Sequence, residues 1–491
     1  MNVGHAVDAP VQSVPDRVAL FVDGEETTYR QLEATIRTSA AALSAAGVGP
    51  GDTVAVVNLS SVLSVATIFA AARLGAATAQ MNAYLTPGEL GQLCRLVEAR
   101  VGVAGDRFAA GLGSVIEGPV LVEADMVGPA ADGATSEPQT VGGNHGRGDD
   151  TALVLFTSGT TGLPKPIAIS HGVVADRLAF YAKPIDPEAD QVVDMMSAPI
   201  FHIAGTLGLF ISLHQGKQMV MMPKFDAGEW LSLVQDRRVT QTFVVPTMLR
   251  RILDHPRFAT TDLSSLRALS YGAAAAPVDL VRRAVAALPE VEFSNTFGQT
   301  ETLGAYAALT PEDHRRGDRF GSVGRPLAGV EVTIVDPASG EAVAPGEVGE
   351  FRVRAKQNTT AEWLRTGDIG RQDDEGYLFL SGRISDTINR GGEKFGPVEV
   401  EDVLRTHPSV ADVGVVGVPD PELGERVGAV IVTTEPVSAE DLVGYCGAQL
   451  AGYKAPELVV FADELPVSVL GKLNRPALRA LLADAPRVAR P

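Results

Sequence analysis

Hydrophobic and polar positions switch between helical and extended patterns along the first part of the chain. Four apolar residues fall on one helical face after Thr28: Leu32, Ile36, Ala40 and Leu43. They predict an amphipathic helix. The apolar run 53–57 follows a Gly-Pro-Gly turn and predicts a buried strand, while residues 61–74 have helical composition. Thr86 and Pro87 open a further helix, with proline in its first turn.

The alternation of these elements predicts an α/β fold in which helices cover both faces of a sheet. From about residue 127 to residue 150 the chain is rich in Gly, Ala, Ser, Pro and Asp without periodicity, which predicts a surface connection. The sequence contains no internal repeat of fixed period, which argues against solenoids and propellers.

Length and composition indicate a globular protein with more than one core. Two or three structural units are expected for 491 residues, and 45% hydrophobic residues supply the apolar material for their cores. The 41 basic and 60 acidic residues give a net charge of -19, which repels nucleic acids and anionic membranes, and no basic patch offsets it. We therefore expect neither a nucleic acid nor a membrane as a partner.

Two further features of the sequence predict a cytoplasmic protein. Cys94 and Cys446 lie far apart without His or Cys neighbours at ligand spacing, so neither a disulfide framework nor a zinc site is expected. The N-terminus has no basic start followed by an apolar run, and the most apolar long stretch, residues 61–79, is interrupted by Arg73. A reducing compartment and the absence of a membrane anchor are expected.

The first chemical signal is a loop rich in hydroxyl groups and glycine. The apolar segment 151–156 predicts a strand, and it runs into Thr157, Ser158, Gly159, Thr160, Thr161, Gly162, Leu163, Pro164 and Lys165. Hydroxyls and backbone N–H groups donate to phosphate oxygens, and the lysine adds a positive charge, so the loop suits a polyphosphate. It is not a Walker loop, because proline precedes the lysine and an extended segment follows it. A surface hairpin without a ligand is the alternative.

Further motifs follow this loop in a fixed order. They are Ser270-Tyr271-Gly272-Ala273-Ala274, Asn295-Thr296-Phe297-Gly298-Gln299-Thr300-Glu301, Thr366-Gly367-Asp368, Gly382-Arg383-Ile384-Ser385-Asp386, Asn389-Arg390-Gly391-Gly392-Glu393-Lys394 and Gly471-Lys472. Together they resemble the signature of the acyl-adenylate-forming superfamily, which comprises acyl-CoA synthetases, aryl-acid ligases, nonribosomal adenylation domains and luciferases. The resemblance covers essentially the whole chain and is strongest to the acyl-CoA and aryl-acid ligases.

The resemblance implies a reaction that needs ATP, Mg²⁺ and, for the second step, coenzyme A. In the first step a substrate carboxylate attacks the α-phosphorus of ATP and pyrophosphate leaves, so cations must surround two anions. By resemblance Lys472 bridges the α-phosphate and the carboxylate. Glu301 is the implied magnesium ligand, and Thr300 is the implied donor to a phosphate oxygen.

The remaining motifs imply a nucleotide site. By the same resemblance, Asp368 accepts hydrogen bonds from both ribose hydroxyls, and Arg383 donates further hydrogen bonds to the ribose. Phe297 stacks on adenine, and Asn295 reads its amino group. Three small residues let the backbone approach the nucleotide: Gly272, Ala273 and Gly298.

Each of these assignments has a structural alternative. Asp368 could be a turn residue, Glu301 could cap a helix, and Lys472 could be a solvated surface lysine. Arg383 and Lys394 could form salt bridges between domains. Taken singly the structural explanations are favoured, but their joint occurrence in family order is improbable.

The predicted acid pocket begins at Pro199-Ile200-Phe201-His202. Relatives that activate amino acids place an Asp after the Phe to pair with the substrate ammonium group, and this chain has His202 there. An α-amino acid is therefore disfavoured, because a buried ammonium group without a counter-charge is costly. The rest of the lining is small and largely apolar: Ala204, Gly205, Ala273 to Ala276, Thr302, Leu303 and Gly304. An aryl or medium-chain monocarboxylic acid fits it best. A hydrogen-bonded core histidine is the alternative for His202.

Three departures bear on the second half-reaction. Pro166 stands where the family commonly has Gly, so the exit of the loop could differ. In the family the C-terminal domain rotates about a hinge between the domains, and Ser385 replaces the usual Lys or Asp at that hinge. Ser385 either permits this rotation or points to an acceptor other than coenzyme A. Gly391 and Gly392 favour the thioester because they leave room for a pantetheine arm.

We therefore predict a large N-terminal α/β domain of layered sheets, residues 1–382, and a smaller mobile α+β domain, residues 383–491. The first binds ATP and a small carboxylic acid, and the second carries Lys472. One alternative is an adenylating enzyme that delivers to an acyl or peptidyl carrier protein or another nucleophile, or activates an unusual oxyacid. A second alternative is a catalytically silent nucleotide-binding protein. The sequence leaves the oligomeric state open.

Overall fold

The computed structural model describes residues 1–126, 148–157, 164–359, 362–468 and 472–488. The chain forms two compact units, and each unit is made of three separate segments of the sequence. The first unit contains Met1–Gly272, Ala284–Tyr306 and Ala355–Glu362, and the second contains Ala273–Arg283, Ala307–Arg354 and Trp363–Pro491. The domain boundary at residues 382 and 383 stays a prediction.

The strands of the described residues are β1 (Val18–Val22), β2 (Glu25–Thr28), β3 (Thr53–Val57), β4 (Ala77–Met81), β5 (Val101–Ala104), β6 (Val120–Leu121), β7 (Thr151–Thr157), β8 (Lys165–Ser170), β9 (Val193–Met196), β10 (Gln218–Met221), β11 (Gln241–Val244), β12 (Ala268–Gly272), β13 (Glu292–Gln299), β14 (Gly304–Leu309), β15 (Arg325–Pro326), β16 (Glu331–Val335), β17 (Gly349–Arg354), β18 (Trp363–Gln372), β19 (Leu378–Arg383), β20 (Ile388–Arg390), β21 (Glu393–Phe395), β22 (Val410–Asp420), β23 (Gly424–Thr433) and β24 (Leu458–Phe461).

The α-helices of the described residues are α1 (Asp8–Ser13), α2 (Tyr29–Ala45), α3 (Val62–Arg73), α4 (Pro87–Leu96), α5 (Asp106–Gly113), α6 (Glu123–Met126), α7 (His171–Tyr181), α8 (Ile203–His214), α9 (Ala227–Asp236), α10 (Pro246–Asp254), α11 (Val278–Ala287), α12 (Pro311–Arg316), α13 (Pro397–Arg405), α14 (Ala439–Gly447) and α15 (Arg475–Leu482).

The helices predicted near the N-terminus are confirmed, with their predicted starts. Thr28 caps α2 by accepting a hydrogen bond from the N–H of Gln31, and the four predicted core residues of this helix are buried. Thr86 caps α4 in the same way, and Pro87 occupies its first turn. These elements form where predicted because capping and helical periodicity are local properties of the sequence.

A six-stranded sheet of the first unit has the order β6-β5-β3-β4-β7-β8. All neighbouring strands are parallel except the edge pair β7 and β8. Side chains of β3 alternate between two cores, one containing Val54 and Val56 and the other containing Ala55 and Val57. Apolar packing on both faces confirms the predicted layered α/β fold.

A second sheet of the first unit runs in the order β13-β12-β11-β9-β10-β1-β2. Its strands are parallel from β13 to β1, and β2 is antiparallel. The carboxyl ends of parallel strands lie at one edge of a sheet, which is where α/β folds place ligands. The segments 270–272 and 295–299 end β12 and β13 and therefore lie at this edge.

The second unit contains two further sheets. One is the antiparallel sheet β16-β17-β18-β19. The other has the order β21-β20-β23-β22, with β24 parallel to β23. Apolar residues of α13, α14 and α15 pack against the second of these sheets. The part of the chain after residue 383 is thus α+β, as predicted.

Both cysteines are buried free thiols. Burial raises the pKa of Cys94 and raises the pKa of Cys446 to about 11. The predicted surface connection at residues 127–150 lies outside the described residues except for positions 148–150, which are exposed. In the parts of the chain that the structure describes, no helix is both long enough and apolar enough to cross a membrane.

Candidate active site

The predicted phosphate loop joins two paired strands. β7 ends at Thr157 and β8 begins at Lys165, and these two residues face each other in the antiparallel register. Thr157 is half-buried and Lys165 is exposed. Ser158, Gly159, Thr160, Thr161 and Gly162 lie outside the described residues, so their contact with phosphate stays a prediction. Pro166 pairs opposite Phe156 on an edge strand, a position that tolerates a residue without an N–H group.

The turn predicted to face adenine lies at the end of β12. Gly272 is level with Thr296 in the register, and a Cβ at Gly272 would lie 2.2 Å from the Thr296 carbonyl oxygen. Glycine is therefore required there by the close approach of β13. Ala273 follows with φ of +65°, a left-handed conformation that is uncommon outside glycine. The chain accepts strain at this turn, which is common in binding sites.

The adjacent strand β13 carries the predicted adenine contacts. Asn295 is buried, and Phe297 is half-buried with its ring 5.2 Å from that of Tyr306 in an edge-to-face arrangement. A Cβ at Gly298 would lie 2.0 Å from the carbonyl oxygen of Gly304. This close packing fixes the backbone that presents Phe297.

Thr300 and Glu301 lie in a short 3₁₀ turn directly after β13. Gln299 is the N-cap of this turn: its N–H donates to the hydroxyl of Thr302 at 3.1 Å, and that hydroxyl donates to the Gln299 carbonyl oxygen at 3.0 Å. Glu301 is therefore not the cap, and the helix-cap explanation fails. The carbonyl oxygen of Glu301 accepts hydrogen bonds from the N–H and the hydroxyl of Thr359, at 2.8 and 3.1 Å. These bonds fix the backbone beneath the Glu301 carboxylate, which is half-buried.

Among the described residues no group of three or more His, Cys, Asp or Glu side chains could hold a metal. A cage made by the protein alone is therefore not present in that part of the chain. Magnesium at nucleotide sites is typically held by one or two carboxylates together with substrate phosphates and water. Glu301 fits that pattern as a single hard oxygen ligand.

His202 lies at the start of the predicted acid pocket. It occupies the N-cap position of α8, and its half-buried ring lies 4.8 Å from the ring of Phe201. Gly205 in the first turn of α8 is required, because a Cβ there would lie 2.2 Å from the carbonyl oxygen of Pro199. This close contact fixes the backbone where α8 begins.

The two predicted walls of the acid pocket meet in the first unit. A Cβ at Gly304 would lie 2.8 Å from Cδ2 of Leu207, which belongs to α8. Leu303, which precedes Gly304, is buried and has φ of +43°. The structure therefore brings the helix after His202 next to the segment after Glu301, which the sequence places about one hundred residues later.

Asp368 and Arg383 are brought together in the second unit. They face each other across β18 and β19, and Nε of Arg383 donates to Oδ1 of Asp368 at 2.9 Å. Asp368 is 5% exposed, whereas half of the Arg383 side chain is exposed. The preceding residue, Gly367, has φ of +74°. The pair joins a buried acceptor to an accessible donor, which suits adjacent hydroxyl groups of a ribose.

Glu350 is a supporting residue that the sequence did not reveal. Its side chain is 2% exposed and accepts hydrogen bonds from the N–H of Gly367 at 3.1 Å and from Nε of Arg365 at 2.7 Å. The hydroxyl of Thr366 accepts from the N–H of Asp368 at 3.0 Å. The sequence alone does not identify Glu350 as a supporting residue, because its hydrogen-bond partners lie 15 and 17 residues further along the chain.

Gly391 and Gly392 form the turn of the hairpin between β20 and β21. Both are exposed, with φ of +62° and +97°. A two-residue hairpin turn with positive φ at both positions requires glycine or a similar residue. The turn thus explains the glycines without a pantetheine arm, and their contact with coenzyme A stays a prediction.

Lys472 is exposed on a segment of the second unit. The Ser468 N–H donates to its carbonyl oxygen at 2.7 Å, and its own N–H donates to the Ser468 hydroxyl at 3.3 Å. Gly471 lies outside the described residues. The position of Lys472 relative to ATP stays a prediction.

Family models match the order of these elements. A model described as AMP-binding enzyme matches residues 7–361, and one described as AMP-binding enzyme C-terminal domain matches residues 399–472. The chain belongs to the AMP-binding enzyme family. The predicted resemblance is therefore confirmed, and with it an ATP-dependent, adenylate-forming ligase at the level of the family.

Individual relatives of this AMP-binding enzyme are similar over nearly their full length. An indoleacetate–CoA ligase from Aromatoleum aromaticum is 32% identical over 98% of both chains. A fatty acid–[acyl-carrier-protein] ligase, ScoC of Streptomyces coeruleorubidus, is 32% identical over 95% of this chain and 94% of its own. The crystal structure of the anthranilate CoA ligase AuaEII with anthranoyl-AMP has a TM-score of 0.87 at 27% identity, over 98% of this chain and 97% of that chain.

Proposed function

We propose that this AMP-binding enzyme activates a small, largely apolar carboxylic acid with ATP and transfers the acyl group to coenzyme A. The acid is an aryl or a short- to medium-chain acid. The observation that carries the proposal is the pairing of buried Asp368 with accessible Arg383, at the two positions where the family motifs place the ribose contacts.

The chemistry follows from the proposed roles of the residues. An oxygen of the carboxylate attacks the α-phosphorus, the bond from that phosphorus to the bridging oxygen breaks, and pyrophosphate leaves. Lys472 stabilises the charge that develops on the α-phosphate. Thr300 donates to a phosphate oxygen, and Glu301 holds Mg²⁺, which when bound would neutralise phosphate charge.

The proposed nucleotide contacts are side chains carried by β13, β18 and β19. Asp368 and Arg383 bind the ribose, while Phe297 and Asn295 bind adenine against the turn at Gly272 and Ala273. In the proposed division, residues 1–382 bind ATP and the acid, and the mobile part from residue 383 carries Lys472. The loop that begins at Thr157 and ends at Lys165 binds the outer phosphates.

The nature of the acid follows from the small apolar residues and the lack of a carboxylate at position 202. Leu207, Leu303 and Gly304 supply apolar contacts, and His202 at the start of α8 acts in the pocket or at its entrance. The names of the relatives, an indoleacetate ligase and an anthranilate ligase, support an aromatic acid.

The acceptor is proposed from the relatives whose names specify coenzyme A ligases. The carrier-protein ligase ScoC supports the second candidate, in which a carrier protein receives the acyl group. The first candidate is favoured because the indoleacetate and anthranilate relatives are named as coenzyme A ligases. The exposed Gly391-Gly392 turn leaves room for a pantetheine arm, which both acceptors carry, and so does not separate them.

A product assay separates these acceptors. The enzyme is incubated with ATP, Mg²⁺ and aryl acids, with coenzyme A, desulfo-coenzyme A or phosphopantetheinylated carrier protein, and the products are identified by mass spectrometry. We expect an acyl-CoA thioester only with coenzyme A, and acyl-AMP with the desulfo analogue, which lacks the thiol. Acyl-AMP that reacts with the carrier protein but not with coenzyme A would overturn the proposed acceptor. The absence of acyl-AMP with every acid would contradict the proposed function itself.

A further inference from the structure

Arg475 lies three residues after Lys472, at the first position of α15, and its guanidinium group joins three elements of the second unit. Its Nε donates to Oδ2 of Asp386 at 3.1 Å, and its Nη1 donates to Oε1 of Glu401 at 3.0 Å. Nη1 also donates to the carbonyl oxygen of Val415. The side chain is 14% exposed, so these bonds form largely out of water. Buried charge-assisted bonds with several partners fix a guanidinium in one orientation.

The partner Asp386 belongs to the segment predicted to be the hinge. It ends the 3₁₀ turn Ile384–Asp386, and its Oδ1 accepts a hydrogen bond from the hydroxyl of Ser385 at 3.2 Å. Three residues before Asp386 is Arg383, the partner of Asp368. One guanidinium therefore ties the start of α15 to the turn that follows the ribose pair.

The rest of the segment after Lys472 is also fixed to the core of the second unit. A Cβ at Gly414 on β22 would lie 3.5 Å from Cδ2 of Leu473. The N–H of Asn474 donates to the carbonyl oxygen of Pro466 at 2.9 Å, and its side chain caps α15. Lys472 thus projects from a segment with defined anchors, and Arg475 is the anchor that reaches the hinge turn.

We propose that Arg475 is a positioning residue for Lys472, and that its bond to Asp386 sets where the lysine stands relative to the hinge turn. The inference rests on the proposed role of Lys472 in adenylation. A lysine has a long flexible stem, so its effect on the transition state depends on a backbone held in one place. A displacement of about 1 Å can cost 10²-fold in rate.

Asp386→Ala removes the hinge end of this link and leaves the bonds from Arg475 to Glu401 and Val415 in place. We expect the kcat of acid-dependent pyrophosphate exchange to fall on the order of 10- to 100-fold. The KM values for ATP and the acid should change less than about 3-fold, because no binding group is removed. The matched control is Glu312→Ala, which removes a carboxylate 2.9 Å from Arg315 in an exposed ion pair of the same unit and should leave exchange unchanged.

Two further measurements separate positioning from a general structural role. In a Lys472→Ala background, Asp386→Ala should cause less than about a 2-fold further loss, because the effect acts through the lysine. Thioester formation from added acyl-AMP and coenzyme A should also be retained.

The inference would be overturned if Asp386→Ala lowered exchange as much in the Lys472→Ala background as in the wild type. It would also be overturned if Asp386→Ala slowed adenylation and thioester formation equally. Full exchange activity in Asp386→Ala would overturn it as well. Absence of exchange in the wild-type enzyme would instead contradict the proposed function.

Discussion

Lys472→Ala is expected to lower the rate of adenylation by roughly 10²- to 10³-fold, the loss typical when one preorganised donor to a transition-state oxyanion is removed. The lysine would stabilise charge that develops on the α-phosphate, and alanine offers no donor there. Because Lys472 is exposed, its substitution should leave the packing of the second unit and the folding of the protein unaffected.

The measurement is single-turnover formation of acyl-AMP, together with equilibrium binding of a non-hydrolysable ATP analogue. Binding of the analogue should change little, since a loss confined to the transition state lowers kcat and kcat/KM equally. Lys183→Ala serves as the matched control, since Lys183 is also exposed but follows α7 and belongs to none of the family motifs. Unchanged adenylation in Lys472→Ala would remove the assignment of this lysine.

Asp368→Ala is expected to raise the KM for ATP by about 10- to 100-fold. A hydrogen bond to a charged group contributes about 1.5–3 kcal/mol, and two ribose hydroxyls would lose their acceptor. The variant also leaves Arg383 without the carboxylate that its Nε contacts at 2.9 Å. Asp368→Asn keeps the size of the side chain and should lose less affinity than alanine, because one oxygen acceptor remains.

Deoxy nucleotides test this assignment directly. The wild-type protein should bind 2′,3′-dideoxy-ATP more weakly than ATP, whereas Asp368→Ala should bind both nucleotides with similar affinity. Asp318, which forms an exposed ion pair with Arg316, supplies a control. Asp318→Ala should still bind ATP more tightly than the dideoxy nucleotide. A variant at Asp368 that still discriminates fully between the two nucleotides would show that the ribose is held elsewhere.

Local features of the fold could be predicted from the sequence because their causes are local. The capping residues Thr28 and Thr86 lie three residues before their partners, and the strand 53–57 is one apolar run. The pairing of Asp368 with Arg383 was implied only by the family motifs, since 15 residues separate the two positions.

Other features depend on contacts between distant parts of the chain. The bond between Arg475 and Asp386 joins residues 89 positions apart, and no periodic pattern in the sequence predicts such a contact. The same holds for the division into compact units, in which residues 273–283 group with the second unit although the segments on both sides belong to the first. The explanation of Glu301 as a helix cap failed because the actual cap, Gln299, could be recognised only from its hydrogen bonds.

Acid-dependent exchange of labelled pyrophosphate into ATP, with Mg²⁺ and without coenzyme A, tests the central claim of adenylation most directly. The panel contains aryl, short-chain and medium-chain acids, with α-amino acids included as the disfavoured class. Exchange is expected to depend on an aryl or small apolar acid and to be lost in Lys472→Ala. Failure of every acid to support exchange, in protein that binds ATP, would contradict that claim.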